Sequence, residues 1–370
     1  MGDKEETNDM LKKTHMALLL TLFLGFFAGS GTARSAFFHP DIRPGYGVTS
    51  QAWLSKYFPP LRGTILDTPV YYLDSGKPGA AALVLGGTHG REIAGFTAAM
   101  ILIESTEVIK GRLIVIPYAN RSAVSIQDKL NRISRFHPIV SRSGKRYLPY
   151  GDRLTDPADQ GRPDPDKFVH PSGLVLKDGT ESRNLNRAYP GKADGTPTQQ
   201  LAYAIMELIR QEKVDFNLDL HETRTPEYYL NDQGKIVRDD KLAYMLVCHP
   251  RGMEIGAQAL FDLELDTGIT GKLEKSNPGF QGLSHLEIGN ATGCISFLYE
   301  TPNPGMDRWR EKPDPIGDPK YPLDHRAGAA LRILKHLADH FGARTGKGLS
   351  IKGLPEYPEI MEKMVGAFLN

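Results

Sequence analysis

Two cysteines are all that this 370-residue chain contains. Cys248 and Cys294 form no C-x-x-C pair, so a thiolate zinc site is excluded. Charge of neither sign is in excess, with 45 Lys and Arg against 44 Asp and Glu. A nucleic-acid binder carries a basic excess or stripe, so that class is set aside and no nucleic-acid partner is expected. No apolar run reaches the roughly 20 residues that a membrane-spanning helix needs. There is no internal repeat. GARTGKG, around Gly346, has too few residues between its glycines for a phosphate-binding loop and lacks the Ser or Thr that should follow.

What is present begins at the amino terminus. Met16–Phe27, MALLLTLFLGFF, is a continuous apolar run preceded by Lys12 and Lys13 and followed by the small residues of AGSGTARSA. Basic, apolar, small is the order of a secretory signal peptide. Residues 1–35 read as that signal, with cleavage after Ala33 or Ser35. Asp3, Glu5, Glu6 and Asp9 make the extreme start acidic, and initiation at Met10 would give the cleaner MLKKTHMALLL. The other reading of the run is an uncleaved membrane anchor. Either way the domain is exported, periplasmic or secreted, into a compartment that permits a disulfide. Whether Cys248 and Cys294 pair is left open.

Residues 36–345 read as one domain and residues 346–370 as a C-terminal tail. Pro69–Leu73, Ala81–Leu85, Arg112–Tyr118, Val214–Leu220 and Cys294–Tyr299 are apolar or alternating and are expected as strands. Ile93–Glu104, Thr198–Gln211, Met253–Leu263 and Arg326–Phe341 are expected as helices, the second capped by Thr198. Strand, helix, strand over Ala81–Tyr118 is a βαβ unit, which implies parallel pairing. Alternating helices and buried strands give an α/β domain. Asn120–Ser182 is long, polar and without period, which inside a globular domain usually marks function.

LVLGGTHGRE, Leu83–Glu92, organises the site. A strand ends at two glycines, and His89 and Glu92 follow three positions apart on a turn entering a helix. Imidazole and carboxylate are good zinc donors, and a catalytic zinc needs three protein ligands and an open position. His221, in LDLHET, supplies the third. Sites in α/β sheets form outside the carboxyl ends of the strands, where His89, Glu92, His221 and Glu300 all fall. Glu300 is the candidate general base. Glu222 should point away from the face that His221 uses, and Glu287 in SHLEIGN is a weaker alternative. Arg121, Arg132, Arg135, Arg183 and Arg187 are candidate cations, with Asn131-Arg132-x-x-Arg135 and Asn186-Arg187 standing out, since guanidinium grips a carboxylate in a bidentate way.

H-x-x-E after a Gly-rich strand end, then N-R-x-x-R, N-L-N-R-A-Y-P-G, L-D-L-H-E and a late strand ending in Glu occur in that order between about residues 80 and 302. This set resembles the zinc carboxypeptidase superfamily, and GGTHGRE, NLNRAYPG and DLHE most resemble its succinylglutamate desuccinylase/aspartoacylase branch. The resemblance implies a three-layer α/β/α fold with a central mixed, largely parallel sheet. It implies one zinc per chain on His89, Glu92 and His221, with Glu300 as general acid and base. It implies that Asn186 and Arg187 bind a substrate carboxylate, that Arg135 polarises the scissile carbonyl and that Arg132 is a secondary contact. Peptidases of the superfamily also use a mobile tyrosine; Tyr228, Tyr229 and Tyr244 are available and no motif selects one. The expected activity is cleavage of an amide next to a free carboxylate, in an N-acyl amino acid or, as the alternative, in peptides or cell-wall fragments by a metallocarboxypeptidase. The expected partner is therefore a small-molecule or peptide substrate, with a membrane involved only if the N-terminal segment stays uncleaved. A reading of another class is a non-catalytic zinc- or peptide-binding protein on the same fold.

Overall fold

The computed structural model describes residues 41–129, 132–231, 233–238 and 241–370. The signal-peptide reading, the domain start at residue 36 and the motif residue Asn131 lie outside them. Among the described residues the apolar runs form one eight-stranded sheet. In chain order its strands are β1 (Ser50–Trp53), β2 (Pro69–Asp74), β3 (Ala81–Leu85), β4 (Arg112–Ile116), β5 (Phe216–Thr223), β6 (Met245–Cys248), β7 (Lys272–Lys275) and β8 (Ile295–Pro302). Across the sheet they run β1-β2-β4-β3-β5-β8-β6-β7. The central four, β4, β3, β5 and β8, are parallel. β2 opposes β4 and β6 opposes β8, so the sheet is mixed.

β3 is buried along its whole length and β5 over all but its last residue. Strands buried on both faces require helices on both sides. The longer helices supply them: α1 (Ile93–Ser105), α2 (Pro197–Gln211), α3 (Met253–Thr267), α4 (Ser284–Ala291) and α5 (Leu323–Thr345). On one face Leu201, Ile205, Leu208 and Ile209 of α2 pack on Leu83, Leu85, Ile114 and Ile116. On the other, the backbone of α1 at Gly95 lies against Leu220 of β5. α1 is itself covered by α5, and so is apolar all round rather than striped. The three-layer α/β/α arrangement follows.

Two expectations change. α2 is capped by Thr196, not Thr198: the Thr196 side chain accepts from Gln199 N, the Gln199 side chain returns to the Thr196 backbone, and Pro197 takes the first helical position. Thr198 is buried, its hydroxyl bonded to Gln160 at 2.7 Å. Residues 346–370, expected as a tail, belong to the same compact unit, Asp41–Asn370. Ser350–Lys352 pairs antiparallel with Glu107–Lys110. Ile360 and Leu369 are fully buried, and Asn370 N donates to Glu104 Oε2 at 2.6 Å. Too few apolar residues lie in that stretch to show a period, yet they close over α1 and α5. The polar stretch 120–182 holds two hairpins, Phe136–Ser141 with Gly144–Pro149 and Phe168–Val169 with Val175–Leu176. Cys248 and Cys294 are both buried and unpaired. No described helix is long and apolar enough to cross a membrane.

Candidate metal centre

β3 ends at Leu85 and the chain turns sharply into α1. Gly87 has φ 63°, a conformation that a side chain disfavours, and a Cβ at Gly86 would lie 2.8 Å from Phe96 Cα. The turn leaves His89 and Glu92 at the carboxyl edge of the sheet, where β5 delivers His221. His89 Nδ1 is 2.6 Å from Glu92 Oε1, and His221 Nδ1 is 2.9 Å from Glu92 Oε2. One ligand atom from each of the three buried side chains lies within 4.8 Å of the others.

Each far ring nitrogen also has an oxygen within 3.0 Å, and the one on His89 makes a directed hydrogen bond. His89 Nε2 is 2.9 Å from Asn184 Oδ1, and His221 Nε2 is 3.0 Å from Asp219 Oδ2. Asp219 is fixed in turn by Ser284 Oγ at 2.6 Å and Thr88 Oγ1 at 2.9 Å. Such outer partners set the tautomer and aim of metal-binding imidazoles. Glu92 Oε2 is buried and lacks a well-directed hydrogen bond. Burial disfavours charge on His221, yet Asp219 and Glu92 hold it protonated well above the ordinary 6.5. Burial holds His89 below that value. Burial would raise Glu92, but His89 and His221 keep it low. The cluster thus calls for positive charge between its Nδ1 and carboxylate atoms. A divalent ion fits that demand by replacing the proton on His221.

Glu300 stands beside this cluster, paired in register with His221 on the neighbouring parallel strand. With Asn186 and Arg187 it lines a cavity of about 690 Å³. Its Oε2 is enclosed without a partner. Burial above all, reinforced by Glu92 and Asp219 and opposed by His221, pushes Glu300 up to about 8. Glu222, one residue past His221, turns to the α1 side, where it binds Arg326 and accepts from Ala94 N at 3.0 Å and Asn303 Nδ2 at 3.0 Å. Glu287 accepts from Gly282 N at 3.0 Å and holds a turn.

The arginines divide. Arg187 donates to Asn186 O at 2.7 Å and lies 3.5 Å from Glu181. Asn186 Oδ1 accepts from Ser284 N at 2.9 Å. Arg132 and Arg135, expected at the substrate, are not among the cavity's lining residues. Arg132 is exposed and donates to the carbonyls of Asp307, Arg308 and Arg310. Arg135 donates to Val124 O at 2.6 Å and lies over the Phe136 ring, with burial lowering it to about 10. Arg121 holds Asp67 O, and Arg183 holds Asp164 and Thr155 O. Arg153, which no sequence motif marks, does line the cavity and is paired with Glu181. It sits alone in GDRLTDP, without the neighbouring Asn that marked the others. Tyr228 is exposed, Tyr229 stacks on Trp309 and Tyr244 bonds His325; none of the three lines the cavity.

No protein-family model matches the chain, and no curated protein does. Among solved structures it is similar to a succinylglutamate desuccinylase from a Silicibacter species, at 17% identity and TM-score 0.41 over 75% of this chain and 61% of that one. It is similar to a metallo-carboxypeptidase from Burkholderia cenocepacia, at 12% identity and TM-score 0.47 over 80% of this chain and 65% of that one. It is similar to the tripeptide-bound cell shape determinant protein Csd4 of Helicobacter pylori, at 14% identity and TM-score 0.41 over 74% of this chain and 52% of that one. The chain thus spans less than two thirds of each of these proteins.

Proposed function

We propose that the chain is an exported zinc-dependent hydrolase that cleaves an amide bond next to a free carboxylate. One observation carries this reading: His89, Glu92 and His221 converge beside Glu300 at the wall of one cavity. Two imidazoles and one carboxylate are a donor set of catalytic zinc and leave coordination open. When bound, the ion supplies Lewis-acid polarisation of a carbonyl and activation of water. Glu300 takes the water's proton and passes it to the leaving amine. A carboxyl held above its usual range suits both halves of that transfer. Asn186 and Arg187 bind the free carboxylate, the guanidinium supplying charge-assisted hydrogen bonds. A fixed cation is needed where charge develops on the carbonyl oxygen. Arg153, in the cavity wall, is better sited for it than Arg135, and Arg132 is assigned to holding the 307–310 loop.

N-acyl amino acids and short peptides satisfy the same chemistry, and the cavity has room for either. The test is a panel of both, assayed with and without a chelator. Hydrolysis that stops with the chelator and returns with zinc supports the reading. Binding without turnover of any member supports the non-catalytic alternative instead.

A further inference from the structure

We infer that the substrate residue bearing the free carboxylate has a long side chain ending in a cation, and that Glu274 receives it. This names the substrate class of the proposed amide hydrolase and rests on that reading.

The strand register carries the inference. In β8 and β6, Glu300 pairs with Met245 and Leu298 with Val247. In β6 and β7, Val247 pairs with Glu274. Side chains alternate along a strand and align across paired strands, so these five residues share one face of the sheet, and all five line the cavity. Met245, Val247 and Leu298 form an apolar cluster of their own. From Glu300 the floor therefore runs across apolar side chains for two strand spacings, about 10 Å, and reaches a carboxylate on the edge strand. Glu92 and Glu222 are engaged by the two imidazoles and by Arg326. The Glu274 carboxylate has no hydrogen bond or ion pair among the described residues.

An apolar floor ending in an acid matches a methylene stem ending in an ammonium or guanidinium group. A purely apolar side chain of the same length would cover Glu274 without pairing it, which is unfavourable for a carboxylate. An acidic side chain would meet a like charge there. It would have to turn away from Glu274 to Arg224 or Lys241, which also line the cavity.

The experiment is calorimetric titration of the zinc-loaded chain with L-lysine, L-norleucine and L-glutamate, which needs no turnover. Lysine is expected to bind about tenfold or more tightly than norleucine, the scale of one charge-assisted contact. Glu274→Gln should remove that preference by weakening lysine binding, while norleucine binds at least as tightly as before because no carboxylate is covered; retained norleucine binding also shows that the variant is folded. Equal affinities for lysine and norleucine, tightest binding of glutamate, a preference that survives Glu274→Gln, or binding of none of the three would overturn the inference. Failure of the hydrolase reading looks different. Turnover of N-acetyl-norleucine without any lysine preference would keep the hydrolase and remove the Glu274 subsite. A lysine preference lost in Glu274→Gln, with no N-acetyl amino acid hydrolysed, would keep the subsite and remove the hydrolase.

Discussion

His221 and Glu300 are direct partners on adjacent parallel strands, one an imidazole aimed at Glu92, the other a carboxyl with an unpartnered oxygen. The register of β5 and β8 thus fixes the separation of a metal ligand and a proton carrier. Moving either by one residue would turn its side chain to the α1 side of the sheet.

Glu300→Gln is expected to keep the fold and the metal and to lose activity by orders of magnitude. If Glu222→Gln or Glu287→Gln were inactive while Glu300→Gln turned over normally, the base would be assigned wrongly. Glu222→Gln should instead cost stability, since it weakens the buried pair with Arg326.

The pH profile carries the same assignment. Glu300 must be ionised to take a proton, so kcat/KM should rise with pH through its pKa. Burial raises that value from 4.5 to about 8 in the metal-free protein, and a nearby divalent cation draws it back down. The acidic limb of the zinc enzyme should therefore have its midpoint between 4.5 and about 8. A midpoint below 4.5 would point to another base.

Arg187→Ala should lower kcat/KM by about ten- to a hundredfold on a substrate with a free carboxylate, the loss of one charge-assisted contact. An amidated version of the substrate never had that contact and should decline much less. Arg187→Lys should restore only part, because an ammonium lacks the planar fork. Equal declines on acid and amide, with a lower Tm, would make Arg187 a structural residue held to Glu181 and Asn186.

Asp219→Asn should weaken zinc binding by about ten- to a hundredfold, because it removes the carboxylate that aims His221. Competition with a chelator of known affinity measures this. Unchanged affinity would mean that Ser284 and Thr88 do not hold Asp219 for the metal.

Much of this site was legible because strands announce their ends. Ala81–Leu85, the glycines after it and the run into His221 gave both the sheet and its carboxyl edge. Two-residue alternation correctly sent Glu222 to the face opposite His221. The arginines were harder. Arg132, Arg135 and Arg153 all lie in a polar stretch where no period ties a residue to a face. Their placement depends on carbonyls of Val124 and Asp307 and on Glu181, contacts far apart in the chain or between irregular segments. The closing segment was illegible for a related reason. Asn370 reaches Glu104, itself paired with the fully buried Arg146 at 2.7 Å, and no local pattern records a contact between the chain's end and α1.

That buried pair gives a stability test. Glu104→Ala removes the buried carboxylate from the Arg146 guanidinium and leaves it only the exposed Asp41, so it should cost up to about 3–5 kcal/mol, seen as a shift of the denaturation midpoint. Removing residues 350–370 should destabilise the domain as well, since it uncovers α1 and α5. Full stability of the truncated protein would restore the tail reading.

Metal content decides whether His89, Glu92 and His221 form a zinc site. The purified protein, its His89→Ala variant and its His221→Ala variant would be dialysed against the same weak chelator and analysed for bound metal. About one zinc per chain is expected in the unaltered protein and almost none in either variant, because two ligands rarely hold zinc against a competitor. One zinc per chain in all three, or none in the unaltered protein after exposure to zinc, would contradict the site.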